Sequence, residues 1–252
     1  MIRYEYPLNE RVRTLLRLED LFDRLNWHVA GEHPYNHHAA LVTLFEMADV
    51  AARGDLKTDL LQELERQRTA LSVLRGNPGV EQARLDGVLR EVEAAHAGIH
   101  RLAGRICQHL KEDEWLTAVR QRAVIPGGLC EFDLPAYHRW LHDPADIRRG
   151  NLQLWLAPLL PVQSGLDIVL RLIRESCRPG VQQAINGVYQ QMLEASARPA
   201  QMIRVGVDED FRCVPEISAN KYMLNIRFVR SLPGEPKAPA DSMPFELTFC
   251  TL

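Results

Sequence analysis

Apolar residues recur at helical spacing through the first two thirds of the chain and at strand spacing through the last third. Leu15, Leu18, Phe22 and Leu25 fall on one stripe of a helix predicted from about Glu10 to Trp27, with Asn9 as its cap. Arg13, Arg17 and Arg24 fall within about 40° of one another on the opposite side, at 100° per residue. That row is either a solvated face balanced by Glu10 and Asp20 or a docking surface for an acidic partner. A second helix is expected over residues 39–52, carrying Leu41, Leu44, Phe45 and Ala48 inward and ending at Arg53-Gly54. Residues 55–74 and 80–97 repeat the pattern. The Asn77-Pro78-Gly79 turn between them predicts an antiparallel helical hairpin, a pattern that usually serves as core or self-association contact. Helical phase breaks at the four charges of 111–114 and resumes over 115–122. Residues 148–175 read as two helical blocks parted by Pro158 and Pro161.

Period-2 alternation marks residues 2–6 and then 184–192, 202–207, 222–229 and 245–251 as strands. Runs of strands after runs of helices imply an α+β protein: a mainly helical domain over 8–176, and a strand domain of 177–252 plus 1–7 whose N-terminal strand joins a C-terminal antiparallel sheet. In 221–229, Lys221, Met223, Asn225 and Arg227 share one face and Tyr222, Leu224, Ile226 and Phe228 the other. The proline-rich 231–243 reads as a mobile loop between the last two strands.

Residues 120–142, RQRAVIPGGLCEFDLPAYHRWLH, change character three times and read as a joint between two bodies. Arg120 and Arg122 close a charged helix that Pro126-Gly127-Gly128 stops. A short strand is expected over 129–134. Asp133 then caps a helix that opens with Pro135 and turns Tyr137, Trp140 and Leu141 inward, so His138, Arg139 and His142 cannot all be buried.

Composition removes several function classes. A chain of 252 residues buries about 70–75% of its unfolded surface and needs no covalent staples. The net charge of −3 gives no global case for nucleic-acid binding. Five scattered cysteines form no CxxC pair and read as reduced thiols, mostly buried, of a cytoplasmic protein. The N-terminal residues carry charge and no apolar signal core, and Pro158, Pro161, Asp167 and Arg171 make the apolar run 152–173 a poor membrane span. His28, His33, His37 and His38 lack a carboxylate or thiol at metal-site spacing. No phosphate loop, GxGxxG, GxSxG or HExxH motif is present, so neither an enzyme nor a cofactor is expected. What remains is a set of basic residues beside order-breaking segments: Arg17, Arg53, Arg120, Arg122, His138, Lys221 and Arg227. Each has a bland alternative. Arg53, for instance, also suits the negative end of a helix dipole.

Three stretches together resemble the bacterial ZapD family: YEYPLNERVRTLLRLEDLF at 4–22, RQRAVIPGGLCEFDLPAYHRWLH at 120–142 and ISANKYMLNIRFV at 217–229. RGDLKTDLLQELERQR at 53–68 fits as well, and the likeness spans nearly the whole chain. The resemblance implies a cytoplasmic dimer with a helical and a strand domain. Such a protein binds the C-terminal tail of the tubulin-like GTPase FtsZ and bundles its filaments at the midcell division ring. It places the family's basic surface positions on Arg17, Arg53, His138 and Arg227, with Lys221 a weaker match. Glu114 and Met223 stand where relatives can carry arginine, and the loops at 33–38 and 195–199 also differ. Neither a membrane nor a nucleic acid is expected as partner; a nucleic-acid adaptor using the same basic face is the alternative.

Overall fold

The computed structural model describes all residues except Arg53, Cys177, 194–198, 231–232, 235 and 252. The expectations for Arg53, Cys177 and most of 195–199 therefore lie outside the described residues. The chain forms two compact units, Thr14–Val169 and Met1–Arg13 with Leu170–Leu252.

The first unit is helical. Helix α1 (Glu10–Ala30) starts at Asn9, whose Oδ1 accepts the Val12 amide at 2.8 Å, and runs three residues beyond the predicted end. Its stripe Leu15, Leu18, Phe22 and Leu25 is fully buried, as the 3.6-residue period requires. Helix α2 (Pro34–Ala51) begins five residues earlier than expected. Pro34 occupies the first helical turn, where its missing amide costs nothing, and His33 caps it by accepting the Tyr35 amide at 3.2 Å. Helices α3 (Leu56–Ser72) and α4 (Gln82–His100) form the predicted hairpin. In the turn between them, Asn77 Oδ1 accepts the Gly79 amide at 2.9 Å. Asp55 caps α3, and Gln67, a polar residue on the helix's inward face, is buried and donates to Glu63 and to the Val169 carbonyl.

Short helices follow: α5 (Gln108–Glu112), α6 (Glu114–Ala123), α7 (Pro135–Leu141) and α8 (Ala145–Leu156), then a 3-10 turn and α9 (Leu160–Glu175). Helix α9 passes so close to α4 that a Cβ on Gly165 would sit 2.5 Å from Ile99 Cδ1, which is why a glycine stands in mid-helix. The stretch Ala145–Glu175 contains an 18-residue window long and apolar enough to cross a membrane, but half of that window is buried inside the protein, as in a core helix.

The segment 120–142 lies wholly inside this helical unit, so it is no joint between bodies. The strand expected over 129–134 is a run of turns. The Asp133 and Leu134 amides both bond to the Cys130 carbonyl at 3.0 Å, and backbone groups used in this way cannot join a ladder. Leu134, not Asp133, occupies the cap position of α7; Asp133 faces Arg122 instead. Tyr137 and Trp140 point inward as predicted, while Leu141 is only half-buried. The inward pair joins Trp115 and Trp155, whose rings stack at 5.4 Å.

The second unit is built on strands. One antiparallel sheet orders β1 (Ile2–Pro7), β4 (Met202–Val207), β8 (Met243–Cys250) and β2 (Gly180–Ala184) as β1-β4-β8-β2. The other orders β3 (Val188–Met192), β6 (Met223–Arg230) and β5 (Val214–Ala219) as β3-β6-β5, with β7 (Ala238–Pro239) also on β6. The N-terminal strand thus joins the C-terminal strands, with Glu5 opposite Arg204. The expected single strand over 184–192 is a hairpin that leaves one sheet and enters the other. Its turn holds Asn186 at φ 50 and Gly187 at φ 71, and a Cβ at Gly187 would meet the Ala240 carbonyl at 2.6 Å. Ile203, Val205, Leu224, Ile226, Phe228, Phe245 and Leu247 fill the core between the sheets. Two sheets, with β5 and β7 as unforeseen members, replace the one expected. Within the predicted loop 231–243, residues 238–239 pair with β6, and residues 231–232 and 235 lie outside the described set.

Candidate functional site

The period that buries Leu15, Leu18 and Leu25 turns Arg17 and Arg24 outward. Arg24 is held by Asp20 at 3.0 Å and Glu46 at 3.3 Å. Arg17 lies beside them on a shallow cleft of about 370 Å³, shared with Asp49 and Val50 of α2. From the last turn of α6, Arg120 donates to Asp49. The fold therefore brings Arg17 and Arg120, far apart in sequence, to the surroundings of one carboxylate. Arg120 is engaged with it, whereas Arg17 makes no ion pair among the described residues.

Arg122 and His138 are cross-braced by acids from the turns between α6 and α7. Arg122 sits 3.5 Å from Asp133, and His138 Nε2 sits 3.6 Å from Glu131, an ion pair only when the imidazole is protonated. Exposed pairs of this kind contribute about 0–1 kcal/mol, so a stronger carboxylate ligand can displace them. Glu114 opens α6 as an exposed acid. It favours the positive end of that helix dipole.

The other two described candidates belong to the strand unit. Arg227 is exposed on the outward face of β6, between Val188 of β3 and Glu216 of β5. Glu216 is taken by Lys237, leaving Arg227 without an ion pair among the described residues. Along the same face come Asn225 between Gln190 and Ser218, then Met223 beside Met192; both methionines are exposed. Lys221 lies outside the strand, in the bend before it, with its ammonium 4.7 Å from the Tyr222 ring centroid. The alternation predicted for 221–229 therefore holds from Met223 onward, while Tyr222 is exposed.

The histidines at 33–38 do structural work. His37 is fully buried, bonds to the Gly31 carbonyl through Nε2 at 2.9 Å, and receives Arg148 Nε on Nδ1 at 2.8 Å. Burial and the Arg148 charge hold its pKa below the usual histidine value. His38 Nδ1 meets the Tyr137 hydroxyl at 2.8 Å. Among the described residues no three His, Cys, Asp or Glu side chains group so as to hold a metal ion.

Sequence reading missed a second cleft, of about 590 Å³, where Lys57, Arg105 and Lys111 converge. They are separated by 48 and 6 positions in sequence (105 − 57 and 111 − 105), and no periodicity connects them.

Fold and candidates together describe an α+β protein whose distinguishing positions are surface cations set among carboxylates. Residues 16–227 match the family model described as ZapD, cell division protein. Similar proteins include the cell division protein ZapD of Aromatoleum aromaticum, 51% identical over 100% of this chain and 98% of the relative. Those of Dechloromonas aromatica and Azoarcus sp. are each 51% identical over the full length of both chains. The chain belongs to the ZapD family of cell division proteins.

Proposed function

We propose that this protein binds the C-terminal tail of FtsZ and, as a cytoplasmic homodimer, cross-links FtsZ filaments at the midcell division ring without catalysing a reaction. Full-length membership in a cell division family carries this reading. The geometry supports it through Arg17 and Arg227, exposed cations whose charge is not consumed by an ion pair among the described residues. Arg120 and Arg122 add charge that their present carboxylate partners can yield to a ligand, and His138 adds a ring nitrogen beside Glu131 that can donate a hydrogen bond. Arg53 and Lys221 complete the proposed set.

A cross-linker needs two copies of a modest site, which a twofold dimer supplies. On a polymer the second site binds at high effective concentration, so weak contacts suffice. Arginine suits a carboxylate-bearing peptide because its guanidinium fork makes bidentate bonds.

The test is co-sedimentation with FtsZ and GTP, using full-length FtsZ and FtsZ lacking its C-terminal tail. Co-pelleting and bundling with the intact form alone is expected. Absence of recruitment to either form, while FtsZ itself polymerises, would refute the proposal. Bundling should also weaken between 0.1 M and 1 M salt, where the Debye length falls from about 10 Å to about 3 Å.

A further inference from the structure

The 590 Å³ cleft is enclosed by the C-terminal end of α2, the start of α3 and the segment leading into α5. Its lining combines apolar Ala51, Leu56 and Ile106 with three cations, Lys57, Arg105 and Lys111. Asp55 is the one carboxylate among the described lining residues, and both its oxygens are occupied by Thr58, through the amide at 3.2 Å and the hydroxyl at 2.7 Å. Lys57 is fixed by donating to the Leu102 carbonyl at 2.5 Å. Arg105 and Lys111 are exposed and make no ion pair among the described residues.

The backbone that presents Arg105 is locally constrained. Gly104 and Cys107, on either side of Arg105-Ile106, both adopt left-handed φ, +66 and +62. For a non-glycine residue that conformation is strained and persists only where surrounding packing imposes it. Cys107 is the anchor: its side chain is 2% exposed, and burial pushes the thiol pKa up to about 12, which removes it from nucleophilic chemistry. Packing the cysteine thus fixes Arg105 and Ile106 at the cleft.

We infer that this cleft seats a short acidic peptide segment, with Arg105 and Lys111 receiving its carboxylates and Leu56 and Ile106 its apolar side chains. The mixed lining favours such a peptide over a bare inorganic anion, which would gain nothing from the apolar wall. The volume falls within the roughly 300–1,000 Å³ of sites that enclose small ligands. The inference rests on the FtsZ reading, since the segment it assigns to the cleft is part of the FtsZ tail.

The experiment titrates the full chain into a fluorescently labelled FtsZ C-terminal peptide and reads anisotropy. It compares the wild type with Arg105→Glu, Lys111→Glu, the double variant, and Arg90→Glu as an equal charge change on the exposed face of α4. Each single variant should bind at least about tenfold more weakly and the double variant about a hundredfold, since each lost charge-assisted bond is worth about a factor of ten or more. Arg90→Glu should stay within about twofold of wild type. Circular dichroism checks the fold, and Arg105→Gln with Lys111→Gln substitutes if charge reversal unfolds the protein. A double variant that binds like wild type removes the cleft from the interaction and leaves the FtsZ reading standing. A wild type that co-sediments with FtsZ yet ignores the peptide overturns the cleft's occupant. A wild type that does neither overturns both.

Discussion

The helical unit and the strand unit close their interiors by different means. The helical unit buries ionisable groups: Arg148 at 4% exposure, Glu63 at 1% and His37 at 0%. Among the described residues Arg148 has no buried carboxylate to meet it. Its guanidinium is held by the Leu141, Asp143 and Glu32 carbonyls and by His37 Nδ1, so four acceptors converge on one side chain. Among the described residues the strand unit buries only the neutral polar Gln201 and Thr248 beside its apolar core, and its ionic group, Glu5 with Arg174 and Arg204, remains 19–26% exposed. The difference follows from the secondary structure. Strands pair their backbone groups within a ladder, whereas short helices and their connections leave carbonyls that a buried donor must satisfy.

The largest effect should come from removing that donor. Arg148→Ala leaves the carbonyls and His37 Nδ1 unpaired and is expected to cost about 3–5 kcal/mol, read as a lowered urea midpoint. A loss below about 1 kcal/mol would mean that water replaces the guanidinium, and the contrast between the units would disappear. Next comes the hairpin turn of the strand unit, where Gly187→Val meets backbone on two sides at positive φ. It should cost about 2–4 kcal/mol, detected by loss of amide protection in β3 and β6. Glu5→Gln should cost about 1–2 kcal/mol, because partial exposure lets water take over from the carboxylate.

A pH series sharpens the comparison. His37 titrates lower in the folded protein than its unfolded value of about 6.5, so the unfolded state takes up the proton first. The contribution of His37 is therefore fully present above about pH 6.5 and is lost as pH falls through its lowered folded pKa. His38, whose pKa is lowered by burial, acts in the same direction. Protonated His37 would face Arg148 directly and Arg149 nearby; Glu32 and Asp143 approach Arg148 only through their carbonyls, and Tyr137 and Trp140 are uncharged neighbours. Protection factors of α2 amides, corrected for the slower intrinsic exchange at lower pH, should drop with falling pH in wild type and change less in His37→Gln. The smallest effect is expected at Lys237–Glu216, an exposed pair whose removal should shift stability by about 0–1 kcal/mol.

Much of this was legible from residues alone. The buried stripes of α1 and α3, the Asn77 turn, the α+β order and the alternation of β6 all rest on local periodicity, which a single chain displays without knowing its neighbours. Family membership was legible for the same reason, since it lies in contiguous motifs at 4–22, 120–142 and 217–229. What failed was read where local signals compete. Residues 129–134 alternate like a strand but find no partner ladder and fold into turns, and the Asn186-Gly187 signal was overridden by the apolar run around it.

Tertiary structure alone decided which charges are spent. Arg17 and Arg120 look equivalent in sequence, yet Asp49, brought in by α2, pairs with one and leaves the other without an ion pair among the described residues. It also decided that β2 and β3 enter different sheets, that Arg148 is buried, and that Lys57, Arg105 and Lys111 line one cleft. The physical reason is common to all of these. Periodicity reports which face of an element is apolar, whereas pairing, desolvation and convergence depend on distances between segments far apart in the chain, which no local pattern encodes.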